Sequence, residues 1–384
     1  MSKSNNKNTR LFWIIIACLG FIILAPLSWV SYRLAISPTQ LVPYPYEVQR
    51  LDYADQPLAE KTTVLIVGDR MGKALDAYLT QLVDKSSVNL KTPLPVFNWS
   101  KEHENLPRTL AKLKSLKKIP PVIVYLGASE EGHERRYNPR DIQAILKNFE
   151  RYEDVKFQSL IMTTPILSRL IYTPIKRTML GKELVNDITT YTAEGQQLLA
   201  ELNFKLFTAE VQELITWAKE NKTHLILSTA PINLETLPHQ VCENTTTENL
   251  KIYQEELMAR IAKDDLKSTL AELKELNQKI IGNALNFHLL GSVYLKTGQF
   301  SKAREEYIKA AAYDCSPWRT NPIHNIILEK AAIQNNVPLV NFDKLVNQKL
   351  GQDVTFLSEL YPQHIYYQQY IGILSQKIME ILKI

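Results

Sequence analysis

Four apolar stretches, each closed by a turn residue and spaced by helix-forming sequence, restrict this chain more than any other feature. They are TTVLIVG (62–68), PLPVFNW (93–99), PPVIVYLG (120–127) and THLILSTAP (223–231). A strand covered on both faces reads as a continuous apolar run, because neither side of its pleat meets water. Helical patterns fill the gaps, as in 73–83 and 106–116. Strands alternating with helices imply a parallel sheet flanked by helices on both faces, a three-layer α/β sandwich. A further short strand, VPLVNF (337–342), precedes a terminal helix from about Tyr366 to Leu382. With 384 residues, 45% of them hydrophobic, the chain can bury such a core, and disorder is not expected. In open α/β sheets the reactive groups sit at the carboxyl ends of the strands, and the first strand here ends in Gly68-Asp69-Arg70.

The N-terminus sets the compartment. LFWIIIACLGFIILAPLSWV (11–30) carries no charge and is long enough to cross a bilayer. It lacks the shorter apolar region and small-residue exit of a cleaved signal, so residues 11–33 read as an uncleaved anchor and as the contact with a membrane. Cys18 then reads as a lipid-facing cysteine. Lys3, Lys7 and Arg10 precede the apolar segment and only Arg33 follows closely. That bias puts residues 1–10 in the cytoplasm and the bulk of the chain outside it. Residues 34–60 are Pro-rich and aperiodic and read as a linker. Between 152 and 204 the pattern is irregular, and 166–180, apolar and basic by turns, suits a lid or a membrane-surface contact. A net charge of +5, spread among carboxylates, gives nucleic-acid binding no support.

One segment interrupts the alternation. From 255 to 313 the pattern is helical without strands, and FHLLGSVYLKTGQFSKAREEYIKAAAYD (287–314) resembles a tetratricopeptide repeat, with Leu290, Gly291, Tyr294, Ala303, Tyr307 and Ala310 at that repeat's positions. Only one full unit is evident, which favours a helical hairpin leaning on the main domain over a peptide-binding array. The organisation expected is an α/β domain in two parts, 61–250 and 316–384, interrupted by a helical insert, 251–315. Cys242 and Cys315 flank that insert. In an oxidising compartment they read as a disulfide, with two separate buried thiols as the alternative.

With these pieces in order, the exported chain resembles the SGNH (GDSL-type) hydrolases, in particular a bacterial membrane-anchored branch with a tetratricopeptide insert before the last block. The resemblance spans roughly 60–384. The family's first block, strand-Gly-Asp-Ser, corresponds to Gly68-Asp69-Arg70, and its second, ending in Asn-x-Gly, to Asn98-Trp99-Ser100. The third, Tyr-x-Gly-x-Asn-Glu, corresponds to VYLGASEEG with Gly127, Ser129 and Glu130. The last, Asp-x-x-His-Pro, corresponds to Ser358, Tyr361 and Pro362. ILSTAPINLETLPH (226–239) and DCSPWRTNPIHNIILEKAA (314–332) also resemble segments of that branch. By this resemblance the fold is flavodoxin-like, and the protein sits in the bacterial inner membrane with its main domain in the periplasm.

The resemblance also shows what is missing. Arg70 stands in place of the nucleophile, Tyr361 of the base, Ser358 of the orienting carboxylate, Ser100 of the oxyanion glycine and Ser129 of the oxyanion asparagine. Acyl transfer needs a hydroxyl, a base to take its proton and donors aimed at the oxyanion, and a guanidinium keeps its proton and cannot attack. His364, three residues after Tyr361, offers a displaced base, against the plainer reading of a surface histidine at a helix start. Glu130, Glu131, Glu134, Arg135 and Arg136 read as a solvated loop. No cofactor motif is present, and the histidines do not fall at the helical spacing of a metal site. Asp69, Arg70, Ser129, Glu130 and Tyr361 thus outline either an anionic-ligand pocket or a plugged one. The function expected is a catalytically inactive binding or scaffold module for an envelope glycan, lipid or protein. An esterase or acyltransferase working through displaced residues is the alternative.

Overall fold

The computed structural model describes residues 5–36, 42, 47–48, 53–134, 136–149, 151, 154–172, 179–180, 191–239, 247–315 and 319–383. They fall into two compact units, one of residues 1–45 with 144–175, the other of 46–143 with 176–384. Cys242 and Arg135 lie outside the described residues.

The larger unit is built on five parallel strands: β1 (Val64–Gly68), β2 (Val96–Asn98), β3 (Val122–Leu126), β4 (His224–Ser228) and β5 (Leu339–Val340). Their spatial order is 2-1-3-4-5, the flavodoxin-like order of doubly wound sheets. All five residues of β1 and of β3 are buried, which is why these runs lack polar alternation. Their side chains divide strictly between faces. Val64, Ile66, Val122 and Val124 pack with Leu82 of α1 (Leu79–Ser86) and with Tyr370, Leu374 and Ile378 of the terminal helix. Leu65, Val67, Ile123 and Tyr125 pack with Leu106 and Leu110 of α2 (Leu106–Ser115), Phe207 and Val211 of α3 (Ala193–Glu220), and Leu328 farther along the chain. The three-layer α/β sandwich expected from the apolar runs is therefore present. Gly68 is required where β1 ends: at its φ of +147° a Cβ would lie 1.8 Å from the Leu126 carbonyl oxygen.

After β4 come four consecutive helices, α4 (Glu248–Ala262), α5 (Leu266–Lys279), α6 (Ala284–Lys296) and α7 (Phe300–Ala312). They bury Leu257, Leu273, Leu289, Val293, Tyr294 and Tyr307 together. Gly291 lets α6 and α7 approach, since a Cβ there would meet the Tyr307 ring at 2.6 Å. Helix α8 (Pro322–Asn335) and α9 (His364–Leu382) complete the layers on opposite faces of the sheet. Cys315 is held in a disulfide. The linker read at 34–60 is not wholly aperiodic, because Glu47–Val48 pairs in parallel with Met179–Leu180 and Gln56–Ala59 forms a helical turn.

The smaller unit holds the helix Asn5–Ile36, whose Phe12–Ala35 span of 24 residues has a mean hydropathy of 2.4. At 1.5 Å per residue that is about 36 Å, long and apolar enough to cross a membrane. Arg33 near its end donates to the carbonyl oxygen and hydroxyl of Thr163 (3.4 and 3.5 Å), in the helix Val155–Thr163. In the 166–180 segment, Pro165–Ile171 is helical and leaves Ile166 and Leu170 exposed, while 173–178 lie outside the described residues.

Candidate functional site at the first strand tip

The chain leaves β1 at Gly68 and turns at once into the short helix Arg70–Lys73, which Asp69 caps by accepting the Met71 amide at 2.9 Å. Its other carboxylate oxygen accepts the Ser129 amide at 2.6 Å, so Asp69 ties the tip of β1 to the loop after β3. Asp69 is fully buried, and desolvation pushes its carboxyl up to about 6 against the pull of those amides.

Arg70 lies over the same loop. Its Nη2 donates to the Ser129 carbonyl oxygen at 3.3 Å, and its Nε is 3.3 Å from Oε1 of Glu130. The guanidinium thus pairs with Glu130, while the Asp69 carboxylate is engaged by backbone amides. Tyr361 is half-buried nearby: burial raises its phenol, the Arg70 charge opposes this, and Glu102, Glu130 and Asp69 reinforce it.

The remaining family positions do not assemble a triad. Ser358 is exposed and its hydroxyl accepts the Leu360 and Tyr361 amides at 3.3 and 3.2 Å, capping its own turn. His364 is exposed at the start of α9 and its Nδ1 is bonded to the Tyr78 hydroxyl, with Tyr78 in turn stacked on Tyr367 at 5.0 Å. Ser100 and Ser129 are buried at the strand tips. The Ser100 amide donates to Asn98 Oδ1 at 3.1 Å and so is not aimed at an incoming oxyanion. Asn98 itself is occupied, donating to the Gly72 carbonyl and to Asp76, each at 2.8 Å.

The reading of 130–136 as a solvated loop is corrected. Glu130, Glu131, Glu134 and Arg136 are all buried. Arg136 bridges Glu210 of α3 (2.7 Å) and Glu131 (2.9 Å), and Glu131 also accepts the Leu106 amide at 2.8 Å. Burial, with Glu210 close by, pushes the Glu131 carboxyl upward. Glu134 accepts from Asn105 Nδ2 and from Arg108 Nε, both at 3.0 Å, and from Arg108 Nη2 at 2.5 Å. Beside them Lys112 joins Glu104 and the Trp99 carbonyl, each at 2.7 Å. The loop looks solvated in sequence because most of its partners come from elsewhere: the turn after β1, α2, α3 and the loop between β2 and α2. Burial becomes tolerable only once those partners arrive.

A second finding is a side-chain cluster absent from the sequence reading. His103, in the loop after β2, and His133, in the loop after β3, converge on Glu130: His103 Nδ1 is 3.7 Å and His133 Nε2 4.0 Å from the same oxygen, Oε2. A search restricted to helical spacing misses it, because the two histidines lie on separate loops. Scanning the residues after each strand for imidazoles and carboxylates would have found it.

No family model matches this chain, and no curated protein matches it either. Two solved structures are similar. One, a proposed acylhydrolase from Bacteroides fragilis, is 10% identical with a TM-score of 0.37, over 87% of this chain and 97% of its own. The other, a lipase/acylhydrolase from Enterococcus faecalis, is 8% identical with a TM-score of 0.32, over 83% of this chain and 96% of its own. Strand order and layering by themselves make the fold a doubly wound α/β sandwich.

Proposed function

We propose that this chain is a membrane-anchored, extracytoplasmic protein whose SGNH-type domain has lost acyl transfer and serves as a binding or scaffold module of the bacterial cell envelope. The observation that carries the reading is Arg70. At the strand tip where this chemistry needs a hydroxyl stands a guanidinium paired with Glu130, and it can neither attack a carbonyl nor give up its proton. The order of sequence blocks and the 2-1-3-4-5 sheet support the family reading. The self-capping Ser358 and the Tyr78-bound His364 support the loss of the base and its orienting group. The apolar N-terminal helix and the basic residues preceding it support an inner-membrane anchor with the main domain in the periplasm. A cationic fork among buried hydroxyls suits a ligand bearing a carboxylate or phosphate, on a glycan, a lipid or a protein.

The test is ester hydrolysis by the full chain in detergent, with short acyl esters as substrate. The expected rate equals that of buffer. Turnover that survives Arg70→Ala and disappears with Ser129→Ala would overturn the reading in favour of an esterase or acyltransferase with displaced residues.

A further inference from the structure

The loops that follow β2 and β3 meet above the strand tips and bring three metal-binding side chains together. One imidazole nitrogen each of His103 and His133 and a carboxylate oxygen of Glu130 all lie within 4.8 Å of one another. We propose that His103, Glu130 and His133 form a binding site for a divalent transition cation, zinc being the type case. This inference does not depend on whether the pocket carries out acyl transfer.

Three observations carry it. First, the Glu130 side chain is only 1% exposed, yet neither of its oxygens receives a hydrogen bond from a described residue. A buried carboxylate normally collects such bonds, as Glu134 does four residues on, so the site is built to leave Glu130 unsatisfied by protein donors alone. Second, its two oxygens face different partners. Oε1 lies against Arg70 Nε at 3.3 Å, whereas Oε2 is the atom nearest both imidazoles. Arg70 therefore fixes the carboxylate and leaves Oε2 for an ion, as outer-shell partners of metal-ligating carboxylates do. Third, His103 holds its imidazole from a left-handed backbone, at φ 59°, and the two rings stack nearly parallel at 6.0 Å and 7°. Backbone strain of this kind persists where the surroundings fix the residue.

The dimensions are close to those of a bound ion. Zinc ligands at 2.0–2.2 Å in a tetrahedron stand about 3.3–3.5 Å apart. The O–N separations of 3.7 and 4.0 Å thus need to shrink by about 0.2–0.7 Å. The histidine side chains are 67% and 37% exposed, so the remaining coordination positions of an ion here face solvent. Two imidazoles and one carboxylate favour zinc-like cations over calcium or magnesium, which prefer all-oxygen sites. Because Arg70 already neutralises Glu130, the ion gains less Coulomb energy than at an isolated carboxylate. A micromolar site is therefore expected, weaker than a structural zinc centre.

The test uses the full chain in detergent, stripped with a chelator and titrated with zinc chloride. One zinc per chain is expected. His103→Asn, which tolerates the left-handed backbone, and His133→Gln are each expected to weaken binding at least tenfold, and the double variant to abolish it. His239→Gln, altering an exposed histidine 3.4 Å from Glu359, should leave it unchanged. Thermal unfolding supplies a readout that needs no variant: saturating zinc should raise the wild-type Tm. Wild-type zinc affinity equal to that of the double variant, equal sensitivity to His239→Gln, or a Tm that zinc does not move would each overturn the proposal. Ester turnover is read separately, so success or failure here is distinguishable from the fate of the acyl-transfer reading.

Discussion

Glu130 and Glu134 stand four residues apart in one loop, are both nearly excluded from water, and are treated in opposite ways by their surroundings. Glu134 accepts three hydrogen bonds from Asn105 and Arg108, while Glu130 has only looser ion pairs at 3.3–4.0 Å with Arg70, His103 and His133. Glu134 belongs with Glu131, Arg136, Glu210, Glu104 and Lys112 to an ionic layer over the α2–α3 face of the sheet. Such a layer contributes to the fold only because its polar atoms are matched. Glu130 and Arg70 belong to the strand-tip edge, where incomplete matching leaves capacity for a ligand. Burial can therefore accompany either a structural or a recognition role, and hydrogen-bond satisfaction separates them.

The sharpest way to break this distinction is Arg136→Met. It removes the shared partner of Glu131 and Glu210 and leaves two buried carboxylates facing each other. A loss of about 4 kcal/mol is expected from urea unfolding of the full chain followed by tryptophan fluorescence. A loss below about 1 kcal/mol would mean that water reaches the layer.

Asp69 gives a pH-dependent test at the strand tip. Its folded carboxyl is raised to about 6, so the folded state holds the proton more tightly than the unfolded chain. The stability due to this group is therefore complete below about pH 4 and is lost as the pH rises through about 6. The total is about 3 kcal/mol for a shift of about two units from the unfolded value. Comparing wild type with Asp69→Asn between pH 4 and 7 isolates the effect, since the variant should lack that part of the slope. Parallel profiles would show that the two amide bonds keep Asp69 ionised.

The matched pair Glu134→Gln and Glu130→Gln sharpens the comparison directly. The first replaces one acceptor of a bidentate arginine pair with an amide and is expected to cost about 2 kcal/mol. The second disturbs no hydrogen bond but removes the charge facing Arg70, so it should cost about 1 kcal/mol, less than the first, while weakening zinc binding. Equal costs in the same urea titration would erase the distinction between the two glutamates.

Much of this architecture is legible in one dimension. Strands β1 and β3 announce themselves because burial on both faces forbids polar residues, and the N-terminal helix because a bilayer excludes charge over about twenty residues. Helix α3, 28 residues long, is only half legible, since its first turns fall within a stretch that reads as irregular. Family-like blocks locate Arg70, Ser129 and Tyr361 at one edge, yet they say nothing of what Arg70 pairs with.

The sequence by itself determined the layers of the sandwich, the apolar span and the absence of a hydroxyl at the first strand tip, because these follow from local composition and order. Only the tertiary structure decided which charges are buried and which are matched. Arg108 reaches Glu134 across 26 positions and Arg136 reaches Glu210 across 74, and His103 meets His133 from a separate loop. Charge burial depends on partners delivered by other elements, and no local pattern records that delivery.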